Sequence, residues 1–212
     1  MAGVARYDEV LGDLRTAYDR GAAQREALAK PSWKLAERQS FLDRLLATGA
    51  SRLLEVGAGS GQDSAFFAAA GLAVVATDLS PAMVEYCRAK GLDARVADVM
   101  SLDFPPASFD AIYTTNCLLH VPDASLPAAL TTLAGLLRPG GLMYLGVWGG
   151  ADWEGEVDDD DHVPKRFFAW RTDAQIQEHA ARDFEILDFH TVTTEHDHHY
   201  QALTLRPRHH PS

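Results

Sequence analysis

Only two of the 212 residues are cysteine, Cys87 and Cys117. Both sit in apolar surroundings, too few for a disulfide framework and without a metal-ligand pattern, so a reducing, cytoplasmic setting is expected. No apolar run approaches the roughly 18–20 residues that span a bilayer. Met1 to Asp13 carries acids and lacks an apolar h-region, so no signal peptide is expected. Basic runs are missing as well. The 19 Lys and Arg residues are scattered among 30 Asp and Glu, for a formal charge of −11. Such a surface repels nucleic-acid backbones and anionic membranes, so neither is expected as a partner. No repeat and no low-complexity linker divides the chain.

What is present is an alternation. The first fifty residues read as helical: Val4 to Ala29, broken by Gly12 and Gly21, then a second helix near Ser32 to Thr48 after Pro31. Short apolar strands follow at Arg52–Val56, Ala73–Thr77, Ala94–Ala97, Phe109–Thr115 and Leu142–Trp148. Helices separate them at Gln62–Ala70, Ser80–Lys90 and Ser125–Leu137, the last closed by Arg138-Pro139-Gly140-Gly141. Strands of this kind predict an α/β fold, a parallel sheet with helices on both faces. Gly149 to Trp170 reads as a loop-like insertion with an acidic centre. Thr172 to Ala181 carries a capping box, Thr172 with Gln175, and Phe184–Thr194 and His198–Leu205 alternate like an antiparallel pair. One domain, 1–212, is expected: a helical lid (1–50), a core (51–148), an insertion (149–171), and a final helix and strand pair (172–206). Pro207 to Ser212 is expected to fray.

The most informative segment is Glu55-Val56-Gly57-Ala58-Gly59-Ser60-Gly61, at the carboxyl end of the first strand, where open parallel sheets bind ligands. The dinucleotide fingerprint is G-x-G-x-x-G. Here the third glycine comes one residue early, and Gln62 occupies its place. An acid, Glu55, precedes the turn, and Asp78 and Asp98 end the next two strands. Acids disfavour a pyrophosphate and favour a ligand bearing an ammonium and a sulfonium. A carboxylate at Asp78 can accept from both hydroxyls of a ribose, and Asp98 can reach an adenine amino group.

From Ser51 to Trp148 the chain resembles the class I S-adenosylmethionine-dependent methyltransferases, the small-molecule subgroup in particular. Glu55 to Gly61, Thr77-Asp78-Leu79-Ser80-Pro81-Ala82-Met83, Ala97-Asp98-Val99, Phe109 to Tyr113 and Leu137 to Gly141 carry the likeness. It implies a Rossmann-like three-layer sandwich, its seven-stranded sheet in order 3-2-1-4-5-7-6 with strand 7 antiparallel. It implies S-adenosylmethionine as cofactor, with Gly57, Gly59 and Gly61 along its methionine part. Asp78 holds the ribose, Leu79 and Met83 lie against the adenine, and Asp98 and Val99 touch the adenine edge. Asn116 lies beside the methionine part and the reacting methyl, and Asp63 reaches the amino group. Glu55, Ala58 and Cys117 complete the expected cofactor shell. The place where base-modifying relatives carry Asn/Asp-Pro-Pro-aromatic reads Asn116-Cys117-Leu118-Leu119-His120, which disfavours base amino groups in nucleic acid.

Methyl transfer is an in-line displacement in which position and desolvation do most of the work, so no base is obligatory. If one acts, His120 is the candidate, taking a proton from a hydroxyl or ammonium nucleophile. The substrate pocket is expected between the N-terminal helices, with Tyr18, Trp33 and Arg38, and the insertion. The insertion offers Trp148, Trp153, Arg166, Phe167, Phe168, Trp170 and Arg171. Aromatics beside Lys165 and Arg166 suit a flat or carboxylate-bearing substrate. Asp158 to Asp161 with His162 reads as a solvated acidic loop rather than a metal site. His196, His198, His199, His209 and His210 share no metal, because strand alternation sends His198 and His199 to opposite faces. The expected function is methyl transfer to a nitrogen or oxygen of a small molecule, by a monomer or homodimer. The rivals are a non-catalytic S-adenosylmethionine-binding protein and a nicotinamide-dependent oxidoreductase.

Overall fold

Leu53 and Leu54 set the architecture: neighbours on one strand, both fully buried, they face opposite sides of the sheet. In the computed structural model, which describes residues 5–194 and 198–208, their strand β1 (Arg52–Val56) lies at the centre. It pairs in parallel with β2 (Ala73–Asp78) and with β4 (Phe109–Thr115). Beyond β2 lies β3 (Asp93–Val96), and beyond β4 lies β5 (Leu137–Gly149), both parallel. Next come β9 (His199–Pro207), antiparallel to β5, and β8 (Phe184–Val192). The order β3-β2-β1-β4-β5-β9-β8 is the expected one. Only the numbering differs, because the insertion contributes two strands of its own.

Leu54 joins Val56, Ile112 and Met143 on one face, beneath helix α5 (Leu126–Leu136) and helix α6 (Asp173–Asp183). Leu53 joins Val74, Tyr113 and Tyr144 on the other, covered by α2 (Ser32–Thr48) and α3 (Gln62–Ala69). Helix α4 (Pro81–Ala89) starts as its sequence predicts: the Ser80 hydroxyl accepts from Met83 N at 3.1 Å, and Pro81 sits in the first turn. The capping box of Thr172 and Gln175 opens α6.

Four expectations are corrected. Gly12 and Gly21 do not break the first helix; α1 runs unbroken from Tyr7 to Ala27. A helical glycine costs about 1 kcal/mol, and at Gly21 it leaves room for an imidazole: an added Cβ would lie 3.1 Å from His162 Nε2. Arg138 to Gly141 is not a plain turn. It belongs to β5, where the pairing jumps from Phe109↔Leu137 to Ala111↔Leu142 and the extra residues bulge. The insertion is not a loop throughout. Trp153–Glu156 (β6) and Phe167–Trp170 (β7) form an antiparallel pair, with Trp153 and Trp170 ring centroids 4.7 Å apart. Its ten-residue connection carries none of the tight-turn signals that announce a hairpin. Finally, fraying does not start at Pro207, which pairs with Phe184, while Arg208 N donates to Asp183 O at 2.8 Å.

His198 stacks on Trp170 with centroids 3.9 Å apart, and His199 Nε2 lies 2.7 Å from Asp173 Oδ1. His196, His209 and His210 lie outside the described residues. Among the described residues no group of three or more metal-ligating side chains converges, and no helix is long and apolar enough to cross a membrane.

Candidate active site

The strand order turns back between β1 and β4, which leaves a crevice at their carboxyl ends. A cavity of about 290 Å³ occupies it, with Gly57, Gly59, Asp78, Asp98 and Asn116 in its wall. A second pocket of about 240 Å³ shares Arg25, Lys34, Gly57, Gly59 and Thr115 with the first and reaches Glu55, Ala58 and Asp63. Helix α1 roofs both. Its Tyr7 hydroxyl donates to Asp98 Oδ1 at 2.5 Å. Asp19 accepts from the Ser80 hydroxyl (2.5 Å) and from Ala82 N (3.1 Å). Past its end, Lys30 Nζ pairs with Asp63 at 2.7 Å.

Asp78 organises the glycine turn. One carboxylate oxygen accepts from Gly59 N at 2.7 Å, the other from Ser80 N at 2.9 Å. Each oxygen retains a lone-pair direction for a ligand. Gly59 has φ +54°, and an added Cβ would meet no atom within 4 Å, so backbone lies bare along the cavity wall. Gly61 serves differently from the expectation. It lines neither space; an added Cβ would come within 2.8 Å of Cys87 Sγ and 2.9 Å of Leu92, so this glycine lets α3 pack against α4. Leu79, Met83, Val99 and Cys117 line the first cavity with Asp98.

The electrostatics also depart from the expectation. Glu55 is buried, accepts from the Ser64 hydroxyl, and is pushed up to about 8 by burial and by the nearby Asp63 charge. Burial thus favours its neutral form over a standing negative charge. Asp63 reaches the second pocket but is held by two cations, Lys30 and Arg38, the latter at 2.8 Å. Arg38 is thereby withdrawn from the substrate side; it also stacks 3.8 Å over Phe66.

His120 lies in the first cavity's wall, 4% exposed. Its Nδ1 lies 2.7 Å from the Phe167 carbonyl and its Nε2 lies 2.6 Å from the Tyr18 hydroxyl. Burial pushes its pKa down to about 3, so it stays neutral, and neither ring nitrogen is left open to a substrate. That arrangement argues against the direct base expected from sequence. Arg166 Nη1 donates to the Tyr18 hydroxyl at 3.3 Å.

Several of the insertion's charges pair within it. Asp160 binds Arg166 Nη2 at 2.8 Å and His162 Nδ1 at 3.0 Å, and Lys165 pairs with Asp158. The acidic run is therefore no uniformly solvated loop: the Asp160 side chain is 3% exposed. Burial raises Asp160's pKa, but the Arg166 guanidinium outweighs it and holds the carboxyl below the usual range. Arg171, expected near the substrate, is buried and bound to Asp123 and to the Val121 and Ala169 carbonyls. Trp33 packs against Trp148 and Tyr200 rather than into the cavity, whereas Trp148 lines it. Phe167 points away and gives only its carbonyl; its neighbour Phe168 faces the cavity.

Residues of the cavity wall missed from sequence include Tyr7, Leu14, Arg25 and Lys34. The signal for three of them was available. Tyr7, Leu14, Tyr18 and Arg25 recur at spacings of seven, four and seven, which is one face of a helix.

Residues 53–141 match the family described as a methyltransferase domain. They supply β1 to β4 and the whole glycine turn. The segment resembles a methyltransferase domain, and the match covers less than half of the chain. A ubiquinone biosynthesis O-methyltransferase of Xanthomonas campestris pv. campestris is 36% identical over 115 residues, 51% of this chain and 47% of that one. The chain thus spans about half the length of the curated relatives it matches. Among solved structures, a Burkholderia thailandensis 1,6-didemethyltoxoflavin-N1-methyltransferase is 24% identical, with a TM-score of 0.74, covering 98% of this chain and 92% of that one. That protein was solved with its substrate and S-adenosylhomocysteine bound. The [4+2]-cyclase SpnF has the same fold, at 22% identity and a TM-score of 0.66, covering 86% and 84%. The fold alone therefore does not fix the chemistry.

The residues of this crevice fit S-adenosylmethionine. Asn116 Oδ1 is buried without a hydrogen-bond partner, on a backbone held at φ +53° against the cavity. An orphaned acceptor there is expensive unless a ligand N–H reaches it. An ammonium beside Glu55 would favour its charged form. Arg25 and Lys34 face both spaces, where a ligand carboxylate is the group that answers them.

Proposed function

We propose that this chain transfers a methyl group from S-adenosylmethionine to a nitrogen or oxygen atom of a small molecule. The observation that carries the reading is the crevice between β1 and β4, where the glycine turn, Asp78, Asp98 and the orphaned Asn116 oxygen converge under α1. Bound S-adenosylmethionine supplies an electrophilic methyl on a sulfonium. The chain's own residues hold and align. Asp78 receives the ribose hydroxyls, and Leu79, Met83, Asp98 and Val99 frame the adenine. Asn116 and Glu55 receive the ammonium, and Arg25 and Lys34 receive the carboxylate. The roof of α1 excludes water from the reacting end. Alignment of this kind is worth roughly 7–11 kcal/mol of barrier, enough to proceed without a dedicated base. The cytoplasm is the proposed location, in keeping with two free thiols whose burial pushes both up to about 12. A net charge of −11 argues for a small acceptor rather than nucleic acid.

The test is calorimetry with S-adenosylhomocysteine and with NAD, followed by methyl release across a metabolite panel. Binding of the first and not the second is expected; the reverse ends the proposal. Arg25→Met is expected to weaken S-adenosylhomocysteine about tenfold, the loss of one charge-assisted bond. Methylthioadenosine, which lacks the amino-acid part, is expected to bind the variant and the wild type alike.

Lys34 adds a pH dependence. Burial, then Arg25 and Lys30, push its pKa down to about 8, while its chain lies near the Trp33, Trp148 and Tyr200 rings. Below that pH the ammonium is already charged. Above it, pairing with a ligand carboxylate must take up a proton, so affinity falls as pH rises. Titration from about pH 7 to about pH 9.5 should show the fall in wild type and a smaller one in Lys34→Met. Identical profiles would remove Lys34 from the carboxylate site.

A further inference from the structure

Hydrogen-bond bookkeeping around His120 leads beyond the transfer reaction to what its acceptor must look like. The Phe167 carbonyl, 2.7 Å from His120 Nδ1, can only accept, so that nitrogen carries the ring's proton. The ring is neutral, so Nε2 holds a lone pair. The Tyr18 hydroxyl, 2.6 Å away, must therefore spend its single proton on Nε2. Arg166 Nη1, at 3.3 Å from the same oxygen, can only donate to it. Tyr18 is thus an oxygen with no hydrogen left to give and one lone pair uncommitted, in the wall of the cavity. Burial raises the Tyr18 pKa, which keeps the phenol protonated and the chain of donors intact.

The position suits the acceptor end. Tyr7 marks the Asp98 side of the cavity, and Tyr18 is eleven residues further along α1, about 16 Å of helix. Around Tyr18 stand His120, Phe168 and Arg166, the last neutralised by Asp160. No spare charge faces the ligand from this group; what it offers is aromatic surface and one obligate acceptor.

We propose that Tyr18, locked by His120 and Arg166 into accepting only, is the residue that selects the methyl acceptor, requiring a neutral ligand that brings an O–H or N–H hydrogen to this end of the cavity. The proposal rests on the methyl-transfer reading. His120 is in this account a positioning residue: it acts through Tyr18. One consequence is discrimination against product. A hydroxyl that has become a methyl ether has no hydrogen to donate to Tyr18, and the loss of one such bond is worth about tenfold in affinity.

Phenol and anisole, which differ by a methyl on oxygen, test this directly. Each is titrated to millimolar concentration into protein saturated with S-adenosylhomocysteine, with binding followed by ligand-observed NMR. Wild type is expected to bind phenol about tenfold more tightly than anisole. Tyr18→Phe is expected to erase the difference. His120→Phe frees the hydroxyl to turn and donate, so anisole should gain on phenol. A purely structural role for the network would lower both affinities together. Equal binding in wild type, no phenol binding, or a preference that survives Tyr18→Phe overturns the proposal. Nitrogen-15 NMR of the His120 ring gives a second readout that needs no acceptor: Nδ1 should carry the proton, and the opposite tautomer overturns the lock. Failure of S-adenosylhomocysteine itself to bind would instead sink the methyl-transfer reading, with the tautomer measurement still deciding the lock.

Discussion

Replacing Asp78 by asparagine should weaken S-adenosylhomocysteine binding by about a hundredfold, with the fold intact. Two backbone N–H groups, of Gly59 and Ser80, converge on this carboxylate from opposite sides. Asparagine has one acceptor oxygen, so its amide nitrogen must face one of those donors. The glycine turn loses its anchor at the same time as the ribose loses a charged acceptor. Each charge-assisted bond is worth about 1.5–3 kcal/mol, and two of them account for the expected factor. Calorimetry measures the affinity, and thermal melting of the free variant checks the fold. An unchanged affinity would take Asp78 out of the cofactor site.

The second large effect is expected at a residue that does not line the cavity. Arg171 is 2% exposed. Its guanidinium binds Asp123 at 2.9 Å, the Val121 carbonyl at 2.7 Å and the Ala169 carbonyl at 3.2 Å. It ties the β6–β7 pair to the segment carrying Leu118 to His120. Arg171→Met keeps much of the volume but strands those carbonyls, and each buried orphan costs about 1–3 kcal/mol. A drop of about 5–15 °C in melting temperature follows for a chain of this size. A melting temperature within about 2 °C of wild type would show that water replaces the guanidinium.

These two residues also mark how far the sequence could be read. Asp78 was legible because its place is set by local pattern: an apolar strand, an acid, a serine cap and a proline in the first turn. The sheet order was legible only through the family resemblance, since local pattern gives the strands and not their order. Arg171 was misread as a substrate contact, because a cation beside aromatics looks alike in a pocket or in a buried tie. Only the partner, Asp123, forty-eight positions away, distinguishes the two. Arg38 falls to the same ambiguity, paired with an aspartate whose proximity no local pattern announces. Phe167 and Phe168 were both offered as pocket contacts, and only parity separates them. On a strand one of any two neighbours faces the cavity, and without recognising β7 its phase was unknown. The α1 contacts are a different case. The seven-four-seven spacing was there to be read, but Gly12 and Gly21 drew attention to a break that does not exist.

Helix α1 has one more consequence. Tyr7 and Arg25 ride on a single rigid rod, about 27 Å apart by helical rise. Both spaces therefore share one ceiling, and a shift of the whole helix away from the sheet would uncover the nucleoside and carboxylate ends together.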